Sequence, residues 1–325
     1  MNILFTNIGR RGYLVDFLKA DRSFEGKVFV SDCDKTASGL YGAADKYFIL
    51  PKPVDNPELY IDNLLRLCEK KRVDIVVPVI DPEIPILAKA KGRFAEKGIM
   101  VLVSNPEVVD ICNSKKMMNR FLLENGFEVI QTYDTIESFE KARAEGKIDF
   151  PVFIKEDFGS ASLGAGVVKS MEELKFRFND GMIIQENIQG EEYGVDIFND
   201  WQLKPVIIVI KKKLAMRSGE TDKAITVYDD RILELSIRLG KTLKHFGPLD
   251  CDILRIGDQM FIIDLNPRFG GGYPASHLAG ANLLGLLSML KSKQPIEIDY
   301  KAYRDGVLTM KDIGLKNTSI LLDKV

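Results

Sequence analysis

The stretch from Gly247 to Gly272 constrains this chain more than any other. It reads as a β-hairpin: an apolar strand, a turn at Gly257-Asp258, and a second apolar strand over Met260 to Ile263 that ends in a polar cluster. Asp252 lies on the first strand. Asp264 and Asn266 stand two residues apart on the second, so the alternation of a strand sends both to one face, with Arg268 two residues further along it. Three oxygen-bearing side chains therefore converge. Hard oxygen donors without His or Cys suit Mg²⁺, and Mg²⁺ of this kind commonly works with substrate phosphates. The plainer alternative is a solvated hairpin with chance polar residues. It is disfavoured because Ile262, Ile263 and Leu265 bury their surroundings and leave polar groups in need of a partner.

The rest of the composition excludes several classes of function. With 325 residues, 46% of them hydrophobic and 28% charged, the chain is an ordinary globular one with room for two or three cored domains. A net charge of −2 and the lack of a basic stripe argue against nucleic acid as a partner. Cys33, Cys68, Cys112 and Cys251 are scattered without metal spacing and read as small buried groups of a reducing compartment. The chain opens directly on a strand, which implies no signal peptide, and the apolar run near Ala281 to Leu290 is too short to span a bilayer. A cytoplasmic protein that binds no membrane is expected. Of the two histidines, His245 reads as a cation at a helix C-terminus, and His277 follows a glycine run where it can touch substrate or serve structure. Histidine catalysis is not expected.

Residues 1 to about 110 alternate strand and helix: strands over Ile3–Thr6, Lys27–Ser31, Asp74–Val79 and Met100–Val103, helices over Gly12–Ala20, Leu59–Lys71 and Glu83–Lys97. That order implies a doubly wound parallel sheet whose ligands bind beyond the strand C-terminal ends. The loop after the first strand holds Gly9, Arg10, Arg11 and Gly12. Its G-x-x-G spacing fails the dinucleotide fingerprint even though Asp32 falls where a ribose-binding acid belongs. Two adjacent arginines at a helix start attract an anion instead, or make a structural contact. A break follows near Asn113, then a helix to Glu124 closed by Asn125-Gly126. A helix is expected over Ile136–Ala144 and another over Ile232–His245. Strands are expected over Pro151–Lys155, Met182–Glu186, Tyr193–Phe198 and Leu203–Lys211.

The strand ending in Lys155 leads into a loop rich in Gly and Ser (Gly159, Ser160, Ser162, Gly164, Gly166) and then another strand. Glycines let backbone N–H groups approach phosphate oxygens, and Lys155 can neutralise them. The loop lacks the Gly-Lys-Ser/Thr of a Walker motif, and a flexible hairpin tip has the same composition. Ile183 to Tyr193 places a strand end and a short connection before another strand. Such an edge can pair with adenine and a nearby carboxylate with ribose; a charged turn is the alternative.

Taken in order, Lys115 with its helix, Lys155 with the Gly/Ser loop, Gln185-Glu186 with Ile188, Gly190 and Glu192, and Asp252 with Asp264, Asn266 and Arg268 resemble the ATP-grasp superfamily. The layout is most similar to the branch of carbamoyl-phosphate-synthase large-subunit-like proteins and small-molecule carboxylate–amine ligases. The resemblance implies an N-terminal doubly wound α/β domain (1–112) followed by a two-subdomain ATP-grasp fold: a small subdomain with the phosphate loop (113–187) and a large one with the metal site (188–325). It implies that Lys115 and Lys155 touch ATP phosphates beneath the loop carrying Gly159, Ser160, Ser162 and Gly164. It further implies that Gln185, Glu186 and Ile188 frame adenine, and that Glu192 holds ribose. Asp252, Asp264 and Asn266 would hold Mg²⁺, with Mn²⁺ as a substitute, and Arg268 would face the reacting phosphate, with Arg217 near the γ-phosphate by a looser match. Two departures stand out: Ser114 precedes Lys115 where the family has Asp, and both bridging metal positions are Asp where Glu is commoner.

The expected activity is ATP- and Mg²⁺-dependent ligation of a small carboxylate to an amine through an acyl phosphate, which needs no covalent enzyme intermediate and no histidine. Gly271, Gly272 and His277 are candidates to line the acceptor pocket, and Arg10 and Arg11 to hold a distal anion of the substrate. The rivals are a single-unit carbamoyl-phosphate-synthase-like subunit that needs a partner, and a non-catalytic ATP sensor. A homodimer is compatible with all three.

Overall fold

The computed structural model describes residues 1–159, 164–217 and 219–318. Its first sheet is parallel, with strands β1 (Ile3–Thr6), β2 (Val28–Asp32), β3 (Lys46–Ile49), β4 (Ile75–Pro78) and β5 (Met100–Val101) in the order β3-β2-β1-β4-β5. Helices α1 (Tyr13–Ala20), α2 (Pro57–Lys71) and α3 (Ile84–Ala95) make the crossovers. The inner strands β1 and β4 are buried on both faces, so they are largely apolar and their alternate residues divide between two cores, while the edge strand β3 is mostly exposed. Leu4 and Val76 pack under α2 and α3; Ile3, Phe5, Ile75 and Val77 pack under α1. The second core is completed from the far end of the chain, by Tyr273, Leu284, Leu287 and Leu290.

Two helices lead out of this sheet, α4 (Pro106–Asn113) and α5 (Lys115–Glu124). Only α5 was expected, although Pro106 at a first helical position marks the start of α4. Ser114 separates them: its extended backbone ends α4, and its Oγ caps α5 by accepting from the Met117 N–H at 3.1 Å. A four-stranded antiparallel sheet follows, in the order β6-β9-β7-β8. It comprises β6 (Thr132–Tyr133), β7 (Val152–Glu156), β8 (Gly166–Val168) and β9 (Met182–Glu186), with helices α6 (Ile136–Ala144) and α7 (Met171–Arg177).

The third sheet has six antiparallel strands in the order β14-β13-β10-β11-β12-β15. These are β10 (Glu191–Asn199), β11 (Pro205–Arg217), β12 (Glu220–Thr226), β13 (Gly247–Ile256), β14 (Gln259–Asn266) and β15 (Leu308–Met310). Helix α8 (Asp230–Leu243) joins β12 to β13, and α9 (Tyr273–Leu278) and α10 (Leu287–Ser292) follow β14. One face packs Val195, Ile208, Cys251 and Leu265 against Ile232 and Leu239 of α8 and Met118 and Leu122 of α5. The other face carries the charged residues described below. Strand β11 runs to Arg217, six residues beyond expectation, because Lys211 and Lys213 point to that polar face and do not interrupt the strand.

His245 is not the helix-end cation expected. Helix α8 stops at Leu243, Lys244 takes the left-handed conformation (φ 54°), and His245 is buried with Nε2 3.3 Å from the Ile197 carbonyl. Burial pushes its pKa down to about 3, so the ring is a neutral core group. Among the described residues no helix is long and apolar enough to cross a membrane.

Candidate active site

Strand register builds the centre of the site. Asp264, Asp252, Gly194 and Lys211 form one row across β14, β13, β10 and β11; Asn266, Asp250 and Asp196 form the next. Asp264 Oδ2 accepts from Asn266 Nδ2 at 3.0 Å, and Asp252 is held by Lys213 Nζ at 2.7 Å. Burial raises the Asp252 pKa to about 7; Lys213 opposes the rise, while Asp250 and Asp264 add to it. A face this crowded with carboxylates favours a cation, and the two Asp and one Asn supply hard oxygen donors. Among the described residues no set of three or more His, Cys, Asp or Glu side chains gathers as a metal centre. The protein therefore offers a partial shell, which fits Mg²⁺ that is completed by phosphate and water.

The phosphate-binding candidates close on this face from the four-stranded sheet. Lys155 on β7 is partly buried, and desolvation lowers its pKa to about 8 despite the nearby Asp264 carboxylate, with Lys115 adding to the drop. Lys115, the first residue of α5, donates from Nζ to the Gly159 carbonyl at 2.7 Å and lies 3.7 Å from Asp264. Asp157 explains why Ser114 suffices ahead of Lys115. Its carboxylate accepts from Ser114 Oγ (3.0 Å) and the Lys116 N–H (2.9 Å), placing a negative charge at the start of α5 from just past the end of β7. Gly159 (φ 102°) and Gly164 (φ 72°) adopt the left-handed conformation that favours glycine; Ser160 and Ser162 lie outside the described residues. A cleft is lined by Lys115, Gly159, Asp264 and Asn266 together with Asp81 and Val109.

Other expectations need correction or refinement. The Gln185 side chain is buried and donates to Thr132 Oγ1 at 2.8 Å, so it ties β9 to β6 and does not face adenine. The Ile188 N–H donates to the Glu186 carbonyl at 3.1 Å, a contact that a base would have to replace. Glu192 is exposed, 3.8 Å from Lys213. Arg268 lies past the end of β14 and turns toward the first sheet. Asp81 receives it at two points, Nε at 2.7 Å and Nη2 at 3.0 Å, while Nη1 reaches Asp250 at 3.2 Å. Burial works against the Arg268 charge, and the two carboxylates outweigh it. Arg217 is exposed near the β11–β12 turn and pairs with Asp222 at 3.3 Å.

Arg10 and Arg11 part company. Arg10 is exposed, whereas Arg11 donates to the Val79 carbonyl and pairs with Glu220 of β12 at 3.2 Å, so its guanidinium joins two sheets and is not open to an anion. Asp32 accepts from the Gly9 and Asp34 N–H groups at 2.8 and 2.9 Å, capping its own loop where a dinucleotide-binding acid would turn to ribose. A Cβ on Gly272 would meet Thr221 Oγ1 at 3.6 Å and Lys211 Nζ at 3.7 Å; one on Gly271 would press on Glu220. These glycines let the chain pass close over the polar face. His277 stacks on Phe17 (4.0 Å between centroids) and shares a hydrogen bond with Tyr273 at 3.1 Å, so it packs α9 on α1.

Sequence reasoning missed Asp250, Asp81, Lys213, Lys211 and Asp196. Asp250 carried a signal, since it stands two residues before Asp252 on the same strand face. So did Lys211 and Lys213, by the same spacing on β11. Asp81 carried a weaker one: it stands in a polar loop beyond the C-terminal end of a strand of the first sheet, where such sheets bind ligands, but its pairing with Arg268 depends on where that sheet docks.

Comparison with known proteins agrees with this geometry. Residues 3–102 match the model of the PylC-like N-terminal domain, and residues 112–272 match that of the ATP-grasp domain. Residues 112–272 are an ATP-grasp domain. Among curated relatives, a carbamoyl-phosphate synthase of Methanobrevibacter smithii is 25% identical over 318 residues, covering 91% of this chain and 82% of the relative. The carbamoyl phosphate synthase large chain of Pseudothermotoga lettingae is 23% identical over 316 residues, 86% of this chain but 28% of its own length. The chain thus spans under a third of that large chain. Among solved structures, biotin carboxylase from Campylobacter jejuni superposes with a TM-score of 0.74 at 17% identity, covering 94% of this chain and 74% of that one. L-amino acid ligase from Bacillus licheniformis gives 0.67 at 18% identity, covering 91% and 75%. At these identities the structural likeness carries the fold.

Proposed function

We propose that this protein is an ATP- and Mg²⁺-dependent ligase that joins a small carboxylate to an amine. The observation that carries the proposal is the register that sets Asp252 against Asp264 and Asp250 against Asn266, beside a cleft reached by Lys115. A carboxylate oxygen of the substrate attacks the γ-phosphorus of ATP and ADP leaves; an amine nitrogen then attacks the acyl phosphate, phosphate departs, and the nitrogen loses a proton. Asp252, Asp264 and Asn266 would hold Mg²⁺, with Mn²⁺ able to replace it, and the ion supplies charge neutralisation for the transferring phosphoryl group. Lys115 and Lys155 draw the phosphates onto the polar face and neutralise them. Glu192 accepts the ribose hydroxyls, and the backbone at Glu186 and Ile188 pairs with adenine. Arg268, held by Asp81 and Asp250, retains one N–H for the reacting oxygens. Glycines 271 and 272 admit the acceptor over Lys211.

The relatives named for carbamoyl-phosphate synthesis support a second reading, a subunit that completes its reaction with a partner chain. An ADP-release screen over amino acids and small carboxylates, with mass spectrometry of the product, tests the ligase. Acceptor-dependent ADP release with an amide product supports it. ATP binding without acceptor-dependent turnover for any pair points to the partner-dependent subunit or to a sensor.

A further inference from the structure

We propose that Lys213 is a tethered cation that occupies Asp252 until a metal ion arrives and then turns to Glu192, so that the metal enters the site against an internal competitor. The proposal rests on the metal assignment above.

Three observations carry it. Lys213 sits on β11, yet its Nζ lies 2.7 Å from Asp252 on β13, with all of β10 between them. The side chain crosses β10 over Gly194, where a residue larger than alanine would stand in its way. A Cβ there would stand 3.4 Å from Lys213 Cε and 3.8 Å from Asp252 Oδ1, directly beside the path of the side chain. The neighbouring lysine is already committed: Lys211 pairs with the buried Asp196, which also receives Ser276 Oγ. Lys213 is therefore the ammonium that covers Asp252. Its side chain is only 6% exposed, so it cannot leave for water without a large rearrangement. A second acceptor is in reach, however. Glu192 lies 3.8 Å from the same Nζ, and rotation about the last torsions of the side chain carries the ammonium toward it.

An ammonium and a divalent cation repel when they share one carboxylate, and burial strengthens that repulsion. Metal alone must then displace Lys213, whereas metal arriving with nucleotide phosphates brings its own anions. Glu192 is also the acid proposed for ribose. Occupation of the metal site thus changes the charge facing the nucleoside, which couples the two events through one side chain.

The test is binding of Mn²⁺ alone, without nucleotide, followed by the loss of the free-ion electron paramagnetic resonance signal. Lys213→Met should bind Mn²⁺ about tenfold more tightly than the unmodified protein, as expected when a like charge leaves the site. Lys213→Gln, which keeps a polar end, should tighten in the same direction and covers the case in which methionine fails to fold. Glu192→Gln should weaken Mn²⁺ binding when Lys213 is present and have much less effect when it is replaced. Asp264→Asn in the Lys213→Met background separates the two claims. Binding that persists there overturns the metal assignment and the proposal with it. Binding that depends on Asp264, but is no tighter in either Lys213 variant, overturns the role of Lys213 alone. Equal effects of Glu192→Gln in both backgrounds overturn the exchange between carboxylates.

Discussion

Arg268 and Asp81 are joined by a two-point ion pair, Nε to Oδ1 at 2.7 Å and Nη2 to Oδ2 at 3.0 Å, across 187 positions of sequence. The pair ties the loop after β4 to the end of β14. It holds the buried guanidinium behind Asp81, which lines the cleft, with Asp250 as the second anchor. Forked geometry fixes orientation as well as distance.

Asp81→Asn should therefore lower kcat while leaving the KM for ATP within about twofold. A charged hydrogen bond contributes about 1.5–3 kcal/mol, or roughly 10- to 150-fold if all of it bears on the transition state. Steady-state kinetics at saturating Mg²⁺ measure the split. A KM for ATP that rises in step with the fall in kcat would show that Asp81 acts on nucleotide binding instead.

Asp264→Asn should abolish turnover and leave the fold intact, because an isosteric amide replaces a carboxylate at the end of a strand. Activity across a Mg²⁺ titration, with circular dichroism as the folding control, measures this. Unchanged turnover at saturating Mg²⁺ would remove Asp264 from the metal site.

Lys155 gives the site a pH dependence. Burial lowers its pKa to about 8 in the nucleotide-free protein, so the ammonium is lost as pH rises through 8, and phosphate attraction goes with it. The dissociation constant for ATP should rise between pH 7 and 9, and that for adenosine should stay nearly flat. Lys155→Arg should flatten the ATP profile, since arginine keeps its charge. Parallel profiles for the two ligands would assign the pH effect to another group.

His245 gives the fold an acid limit. Its folded pKa of about 3 lies below the ordinary 6.5, so the unfolded chain binds the extra proton and stability falls as pH drops from 6.5 toward 3. The slope approaches 1.36 kcal/mol per pH unit for one group, about 2 kcal/mol by pH 5. His245→Leu should show a shallower acid limb in urea titrations between pH 7 and 5. An unchanged limb would place the acid sensitivity elsewhere.

Much of this fold was legible from local pattern. The alternation of β1 to β5 with helices, the hairpin of β13 and β14, and the Asn125-Gly126 stop of α5 depend on neighbours in sequence, and their periodicity shows it. The same alternation set Asp252, Asp264 and Asn266 on one face. What escaped depends on docking. Nothing near Arg11 says that Glu220 waits for it, and nothing near His277 says that Phe17 will stack on it. His245 misled for a related reason: a lysine-rich helix end looks exposed, but the chain turns inward one residue past Lys244. The reach of Lys213 over Gly194 to Asp252 is invisible in one dimension, because it depends on the strands on either side of β10.

The packing of Tyr273, Leu284, Leu287 and Leu290 into the core shared by α1, β1 and β4 has a consequence for biosynthesis. The first sheet leaves the ribosome well before Tyr273 does, and until residues 273–290 follow, α1 covers that face without its second layer. Newly made protein should therefore hold part of that apolar core exposed to solvent or to a chaperone during this interval. A polypeptide halted after residue 268 should bind a hydrophobic dye that the protein with residues 273–290 ignores, because the cover is distant in sequence from the strands it protects.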